Sequence, residues 1–265
     1  EQVKSPLGVL WFGAPGPTDI PNRHRSAAAP LCVNGILLVQ GEHVLMGYDA
    51  YNGMNLWKRR IEGAMRVGLK HDSANLAASK ESFFVAISRG RCLRLDPLTG
   101  RTLKTYRAPP SPKRGNTGWG YLATEGKLLF GSTQYGFTVS DSLFAIDIDT
   151  GKTVWTHEAR SMRNMAIAVD SGKIFLVDSR STPEGRKKAI RERFEKFEGL
   201  SGDELTKAEQ TVAKPDVRTV VALDAAKGKK LWERPLEVSN CVRISAGGGE
   251  LIVMVYSRWS LNYLI

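Results

Sequence analysis

The segment Asp147-Ile148-Asp149-Thr150-Gly151-Lys152-Thr153-Val154-Trp155 decides the fold, because the chain repeats its pattern. An acidic residue ends an apolar run, a glycine follows four positions later, and a short segment then closes with tryptophan. Two further copies keep all three features: Asp49, Gly53 and Trp57, and Asp224, Gly228 and Trp232. A fourth copy keeps Asp96 and Gly100 but has Lys104 in place of tryptophan.

Each copy predicts a β-hairpin. Aspartate bonds to the backbone of its own turn, and glycine supplies the positive φ that a bulged hairpin requires. One Asp-x-x-Thr-Gly would be an ordinary turn, whereas four copies in register indicate a repeat. Successive repeat glycines are 47, 51 and 77 residues apart. Periods of this size are typical of propellers or solenoids.

Four short strand-like runs accompany each repeat, which predicts an all-β fold, a β-propeller of four-stranded antiparallel blades. The predicted blades span residues 27–58, 75–106, 119–157 and 164–234, and a further blade starts within 240–265. Closure hides the strand edges of a propeller. We therefore expect four to five blades of a seven- or eight-bladed ring, completed by missing sequence or another chain. A closed four-bladed ring is the alternative.

The fourth blade contains a long insertion, residues 182–216, rich in Lys, Arg and Glu. Ile190, Phe194 and Phe197 have the spacing of an amphipathic helix face. The run from Ser201 to Glu204 has the pattern of a capping box and predicts the start of a second helix. We expect a helical pair that packs on its own blade. The alternative is an element that binds a partner or a membrane surface.

Composition bounds the functional classes. The 265 residues include 38 Lys and Arg against 27 Asp and Glu, a net charge of +11. Nucleic acid, an anionic membrane or an acidic partner could use this charge, but its spread along the chain favours a solvated surface, and no aromatic pattern of an RNA reader occurs.

Cys32, Cys92 and Cys241 are far apart, which favours buried free thiols over a disulfide framework. The chain starts at Glu1 without Met or a charged-then-apolar leader, and we expect either that a signal has been removed or that the chain is a piece of something longer.

Two copies of the repeat resemble a known family. The runs from Phe144 to Trp155 and from Val221 to Trp232 are similar to the pyrroloquinoline quinone (PQQ)-like β-propeller repeat. The resemblance extends over residues 27 to 258. It implies that Trp57, Trp155 and Trp232 lie between successive blades.

This family contains enzymes and binding proteins. Its alcohol and sugar dehydrogenases carry an adjacent Cys-Cys disulfide near the quinone and hold Ca²⁺ with a Glu and an Asn beside an Asp base. The chain has no Cys-Cys pair, and that ligand set cannot be mapped onto it. Other members are sensor domains and the scaffold lipoprotein of outer-membrane protein assembly. The resemblance thus favours a cofactor-free, non-catalytic module, periplasmic or extracellular, that binds a protein or a small polar or anionic ligand. The alternative is a PQQ- and Ca²⁺-dependent oxidoreductase.

The first strand of each propeller blade lines the central channel, and the residues just before it project at one mouth. In this chain those residues are His24, Arg25, Asn75, Trp119, Arg163, Asn164, Asn240 and Arg243. Together they predict a polar, cationic funnel with one aromatic face, suited to an anionic or sugar-like ligand. The alternative is that they cap loop backbone groups. The sequence predicts no catalytic residue, because it has no Ser-His-Asp order, phosphate loop or metal-spaced His cluster.

Overall fold

A computed structural model describes residues 29–64, 75–113, 115, 118–135, 139–179, 195, 197–211, 218–236, 241–256 and 261–264. The described residues form five antiparallel sheets, each with its strands in sequence order. Strands next to each other in the chain pair with each other, so every sheet is a meander. The predicted all-β propeller is confirmed.

The strands follow the repeat. Blade 1 comprises β1 Leu31–Val33, β2 Ile36–Gln40, β3 Val44–Asp49 and β4 Asn55–Arg60. Blade 2 comprises β5 Leu76–Ser79, β6 Ser82–Ile87, β7 Arg91–Leu95 and β8 Thr102–Arg107. Blade 3 comprises β9 Gly118–Glu125, β10 Leu128–Gln134, β11 Val139–Asp147 and β12 Thr153–Arg163. Blade 4 comprises β13 Ile167–Asp170, β14 Lys173–Ser179, β15 Arg218–Asp224 and β16 Lys230–Leu236. Blade 5 comprises β17 Cys241–Gly247, β18 Glu250–Tyr256 and β19 Leu261–Leu264.

The first strands of successive blades contact one another in the order β1, β5, β9, β13 and β17. They therefore form the inner wall of the arc, and the later strands of each blade lie outside them. The hydrophobic core lies between blades. Phe84 of blade 2 packs in one cluster with Phe144 of blade 3, and Phe130 of blade 3 packs with Leu176 of blade 4.

A meander gives each blade two different ends. The turn end holds the hairpins between the first and second strands and between the third and fourth strands. The loop end holds the connection between the second and third strands and the link to the next blade. All four Asp-to-Gly turns lie at the turn end. The insertion within residues 180–217 lies at the loop end, because it connects β14 to β15.

The repeated turns have one geometry. Their glycines, Gly53, Gly100, Gly151 and Gly228, have φ of 72°, 67°, 77° and 67°. The N–H of each glycine donates to the carbonyl oxygen of its turn aspartate at 2.7–2.9 Å. The aspartate carboxylate accepts a second bond inside the turn, for example from Thr150 N–H at 2.6 Å in blade 3. The bulged hairpin that the sequence predicts is therefore formed in all four copies.

A ring from one blade contacts the turn of the next. The indole N–H of Trp57 donates to Pro97 O at 2.7 Å, and that of Trp155 donates to Ala225 O at 2.9 Å. Blade 2 lacks the tryptophan, and there the Tyr106 hydroxyl donates to Ile148 O at 2.7 Å. All three acceptors are the residue directly after the turn aspartate. Three of the four turns thus provide the same seat, from this carbonyl to the turn glycine, for a ring of the preceding blade.

The seats require glycine for a second reason. A Cβ at Gly100 would lie 2.5 Å from the Trp57 ring, and one at Gly228 would lie 2.5 Å from the Trp155 ring. Both distances are too short for real atoms, so the positive φ and the close ring demand the same residue. Trp232 follows the same pattern in blade 4, but it is 42% exposed and no Asp-to-Gly turn of a following blade lies among the described residues.

Several boundaries differ from the sequence prediction. Strand β12 extends to Arg163 rather than ending near Trp155, since the Asp178 carboxylate accepts bonds from the backbone N–H groups of Arg160 and Ser161 and holds its irregular second half. Blade 5 gains a third strand, β19. The helix α1 Gly202–Thr211 begins where the capping pattern predicts, whereas Ile190 and Phe194 lie outside the described residues.

The cysteines differ among themselves. Cys92 is buried, as predicted, and its burial raises the pKa of the thiol well above its ordinary value. Cys32 is exposed, so the prediction of a buried thiol is wrong there, because Leu31 and Val33 pack against the core and Cys32 lies on the opposite face of the short strand β1. No helix among the described residues has the length and apolar character needed to cross a membrane.

Candidate functional site

The structure places the predicted mouth residues at the loop end. Asn75, Trp119, Arg163, Asn164 and Arg243 lie in or beside the loop-end parts of the inner strands and the links that lead to them. His24, Arg25 and Asn240 lie outside the described residues. The side chains of the five described residues lie in different surroundings.

Asn75 is 1% exposed and precedes β5. Its side-chain nitrogen donates to Ala86 O at 3.1 Å, and its backbone carbonyl accepts from Ala86 N–H at 2.8 Å. These two bonds extend the pairing of β5 with β6, as the capping alternative predicts. The Oδ1 atom, however, has no hydrogen-bond partner among the described residues. The Nδ2 atom of Asn75 therefore has a structural role, whereas its Oδ1 atom is an acceptor without a donor among the described residues.

Asn164 is 2% exposed and lies in the link to blade 4. Its Oδ1 accepts from Ser140 Oγ at 2.6 Å and from Ser132 Oγ at 3.3 Å. The amide lies against the inner strand of blade 3, where a Cβ at Gly120 would come within 2.6 Å of it. Its Nδ2 has no partner in the described part of the chain. The serines fix the orientation of the amide, so an available donor is held in a defined place.

Trp119 does not provide the predicted aromatic face. Its side chain is buried, its indole N–H donates to Gly90 O at 3.0 Å, and its ring meets Phe144 edge-on with centroids 5.0 Å apart. Gly131 makes room for it, since a Cβ there would lie 2.4 Å from the ring. The residue is a core residue between blades 2 and 3.

Arginines give the loop end its cationic character. Arg163 and Arg243 were predicted here, and both are partly buried. The structure adds Arg91, which is partly buried, and Arg218, which is 1% exposed. Sequence reasoning missed these two because it considered only the residues before first strands. A signal was present, however, since each is an arginine at the first position of a third strand.

Unsatisfied polar atoms concentrate at this end. Buried side-chain nitrogen or oxygen atoms without a hydrogen-bond partner among the described residues occur in blades 1, 2 and 4 and in the link between blades 3 and 4, on Gln40, Asn75, Arg91, Asn164 and Thr219. All five residues lie at the loop end, and the described residues of the turn end contribute none. Leaving such a group without a partner costs about 1–3 kcal/mol. Among the described residues, this cost is therefore confined to the loop end of the blades.

Two carboxylates of this end already accept hydrogen bonds within the chain. Asp141 is buried, and its two oxygens accept from Ser111 Oγ at 2.5 Å and Thr133 Oγ1 at 2.7 Å. Asp178 accepts three backbone N–H groups, including that of Ser179 at 2.8 Å. Within the described ranges no group of three His, Cys, Asp or Glu side chains could hold a metal ion. Ca²⁺ requires six to eight oxygen ligands, so the described residues do not fit a Ca²⁺–PQQ site.

Comparison with known proteins shows the same family in enzymes and assembly factors. A family model described as outer membrane protein assembly factor BamB matches residues 18–194. Quinohemoprotein alcohol dehydrogenase ADH IIB of Pseudomonas putida is 25% identical over 154 residues, which are 56% of this chain and 22% of that protein. This chain therefore spans about a fifth of the length of that curated relative.

Solved structures agree on the fold. BamB from Moraxella catarrhalis has a TM-score of 0.50 at 16% identity, over 85% of this chain and 57% of its own. Quinohemoprotein alcohol dehydrogenase from Comamonas testosteroni has a TM-score of 0.55 at 15% identity, over 86% of this chain and 39% of its own. The family model covers more than half of the sequence, and the chain therefore belongs to the PQQ-like β-propeller family that this model of BamB describes.

Proposed function

We propose that this chain is a non-catalytic PQQ-like propeller module that binds a protein or a small polar or anionic ligand at its loop end. We further propose that it acts in the periplasm or outside the cell. The observation that carries the proposal is the set of buried amide, hydroxyl and guanidinium atoms at the loop end that have no partner among the described residues. This set includes the donors Arg91 Nε and Asn164 Nδ2, which suit carboxylate, phosphate or carbonyl oxygens.

A matched pair of substitutions tests the small-ligand form of the proposal. Asn164→Asp keeps the oxygen that accepts from Ser132 and Ser140 but replaces the available donor with an acceptor. Asn52→Asp makes the same chemical change at the turn end, where Asn52 is exposed. With D-gluconate as probe, calorimetry on the wild type should show saturable binding that Asn164→Asp abolishes and Asn52→Asp leaves unchanged.

A second pair tests the protein-binding form. A photo-crosslinking amino acid at Ser88, an exposed loop-end residue, should give a discrete protein adduct in living cells. The same group at Lys152, an exposed turn-end residue, should give none. Absence of gluconate binding together with absence of an adduct specific to Ser88 would reject the proposal.

The alternative function is a PQQ-dependent oxidoreductase, and the match to quinohemoprotein alcohol dehydrogenase ADH IIB favours it. Bound quinone would supply the redox chemistry in such an enzyme. An absorbance titration with PQQ and Ca²⁺, followed by dye-linked ethanol oxidation, separates the two functions. Saturable PQQ binding with turnover would show that the chain is an enzyme and not a binding module. The absence of both PQQ binding and turnover would support the binding module.

A further inference from the structure

The junction between blades 2 and 3 differs from its neighbours in one cross-strand pair. Each closing tryptophan pairs with a small residue on the third strand of its own blade, which leaves room for the indole. These pairs are Gly47 with Trp57, Ala145 with Trp155, and Ala222 with Trp232. Blade 2 instead pairs Arg94 with Lys104. Two cations therefore stand where the other blades have a small residue and an indole.

Arg94 points toward blade 3. Side chains two residues apart on a strand lie on the same face, and Cys92, two residues before Arg94, packs with the blade 3 residues Leu129 and Phe144. The Arg94 Nε donates to Ser82 Oγ at 2.8 Å, which fixes the guanidinium at the junction. Its side chain remains 20% exposed, so the charge is held in place and still reaches solvent.

A cleft of about 430 Å³ opens at this position, at the turn end. Blade 2 contributes Lys80 from the β5–β6 hairpin and Arg94 from β7. Blade 3 contributes Thr124 and Lys127 around the β9–β10 hairpin and Asp149 from its repeated turn. The volume falls within the range of about 300–1,000 Å³ that is usual for small-molecule sites.

The charges of the cleft leave a cation surplus. Its lining includes three cations, Lys80, Arg94 and Lys127, and two carboxylates, Glu81 and Asp149. Asp149 lies 3.6 Å from an Arg94 nitrogen and 3.8 Å from Lys127 Nζ, both longer than a charge-assisted hydrogen bond. The Asp149 carboxylate therefore lies between Arg94 and Lys127 without a charge-assisted hydrogen bond to either of them. An oxyanion between them would form shorter bonds to both.

We propose that this cleft binds a small molecule through a phosphate or carboxylate group, held by Arg94 and Lys127. The site lies at the opposite end of the blades from the loop end, so this proposal can be tested independently of the proposed function. Its origin is the exchange of a small residue and an indole for two cations in the one repeat that lacks tryptophan.

Calorimetry at low salt with inorganic phosphate and, separately, with citrate tests the proposal, and the two probes distinguish phosphate from carboxylate recognition. Lys127→Ala removes a cation from the cleft at a side chain that is 83% exposed, so folding is preserved. Lys152→Ala removes the same charge from an exposed position on blade 3 outside the cleft. Asp149→Asn removes the competing carboxylate charge.

We expect saturable binding of at least one probe, about fivefold weaker in Lys127→Ala and about fivefold tighter in Asp149→Asn, as one charge at contact distance in water would give. Lys152→Ala should bind as the wild type does. Failure of both probes to bind the wild type would overturn the proposal. Equal weakening by Lys127→Ala and Lys152→Ala would also overturn it, because it would reveal general attraction to a basic surface.

Discussion

The two ends of the blades carry opposite kinds of polar group. At the turn end, the same carboxylate, glycine and carbonyl recur in four blades, and each repeated group is bonded within the chain. At the loop end, residues such as Asn75 and Asn164 hold one side of an amide in place and leave the other side without a described partner. The sequence repeats at the first end and varies at the second.

Under the proposed function, the turn end stabilises the fold and the loop end binds the ligand or partner. A repeat can be conserved along the chain only where every copy performs the same task, and here the task is to seat a ring of the preceding blade. The loop end is then available for residues that weaken the fold but meet a partner, which is how binding sites in rigid scaffolds are usually placed. Stability changes should therefore be large and alike among the seats, and small or reversed for loop-end groups that have no partner among the described residues.

The largest effect is expected from removing a seated ring. Trp57→Ala deletes an indole that is 8% exposed and bonded to Pro97, and should lower the free energy of unfolding by about 3–5 kcal/mol. Trp232→Ala deletes an indole that is 42% exposed and should cost about 1–2 kcal/mol, since less area is buried. Urea unfolding of both variants measures these free energies. Equal losses in the two variants would contradict the seating of the Trp57 ring on the next turn.

A smaller effect is expected from altering the seat itself. Gly100→Ala combines a φ of 67° with a Cβ placed 2.5 Å from the Trp57 ring, and should cost about 2–4 kcal/mol. Gly126→Ala is the matched control, because it has a φ of 58° and no atom within 4 Å of the added Cβ. It should cost only about 1 kcal/mol. Chemical denaturation distinguishes them, and similar costs would mean that the ring does not matter.

Thr-to-Val substitutions sharpen the contrast at the loop end. Thr219→Val removes a buried hydroxyl without a described partner and should leave stability unchanged or raise it by about 1 kcal/mol. Thr133→Val removes a hydroxyl that donates to Asp141 at 2.7 Å and should cost about 1–3 kcal/mol. Thermal and urea unfolding report both values. A loss in Thr219→Val as large as in Thr133→Val would show that its hydroxyl is satisfied in the fold.

The smallest effect on stability is expected from protonation of the turn aspartates at low pH. The Thr99 hydroxyl bond lowers the pKa of Asp96, and the Thr150 N–H bond lowers the pKa of Asp147. A lowered folded-state pKa adds stability above the ordinary carboxyl pKa, and this stability is lost as the pH falls through the lower folded value. The free energy of unfolding should therefore drop below about pH 4. The drop should be shallower in Asp96→Asn, whereas Glu42→Gln, an exposed carboxylate outside the turns, should retain the wild-type slope.

The sequence was sufficient for the repeated features and insufficient for the others. The turns were predictable because Asp96 and Gly100 act through local geometry, which residue type alone determines. Strand β12 was predicted too short because its second half depends on Asp178, which comes from another blade. The role of Trp119 was misjudged for the same reason, since its partners Gly90 and Phe144 are distant in sequence and fix it in the core.

The loop-end chemistry was predictable only in outline. Polar residues before the inner strands, Asn75 and Asn164 among them, led to the prediction of a site at the loop end, and that site remains a prediction. Their one-sided bonding, and the burial of Arg218, depend on tertiary packing that no local pattern encodes. The cleft beside Arg94 had a visible signal in the missing tryptophan at Lys104, but its meaning required the cross-strand pairing.

The most direct test of the account is a double-mutant cycle between Trp57 and Gly100, with unfolding free energies measured in urea for the wild type, both single variants and the double variant. If the ring of one blade is seated on the turn of the next, Gly100→Ala should lose its steric cost once Trp57 is alanine. The penalty should then fall to about 1 kcal/mol, the cost of the backbone conformation, and reveal a coupling of about 1–3 kcal/mol. The same penalty for Gly100→Ala with and without the indole would contradict the account.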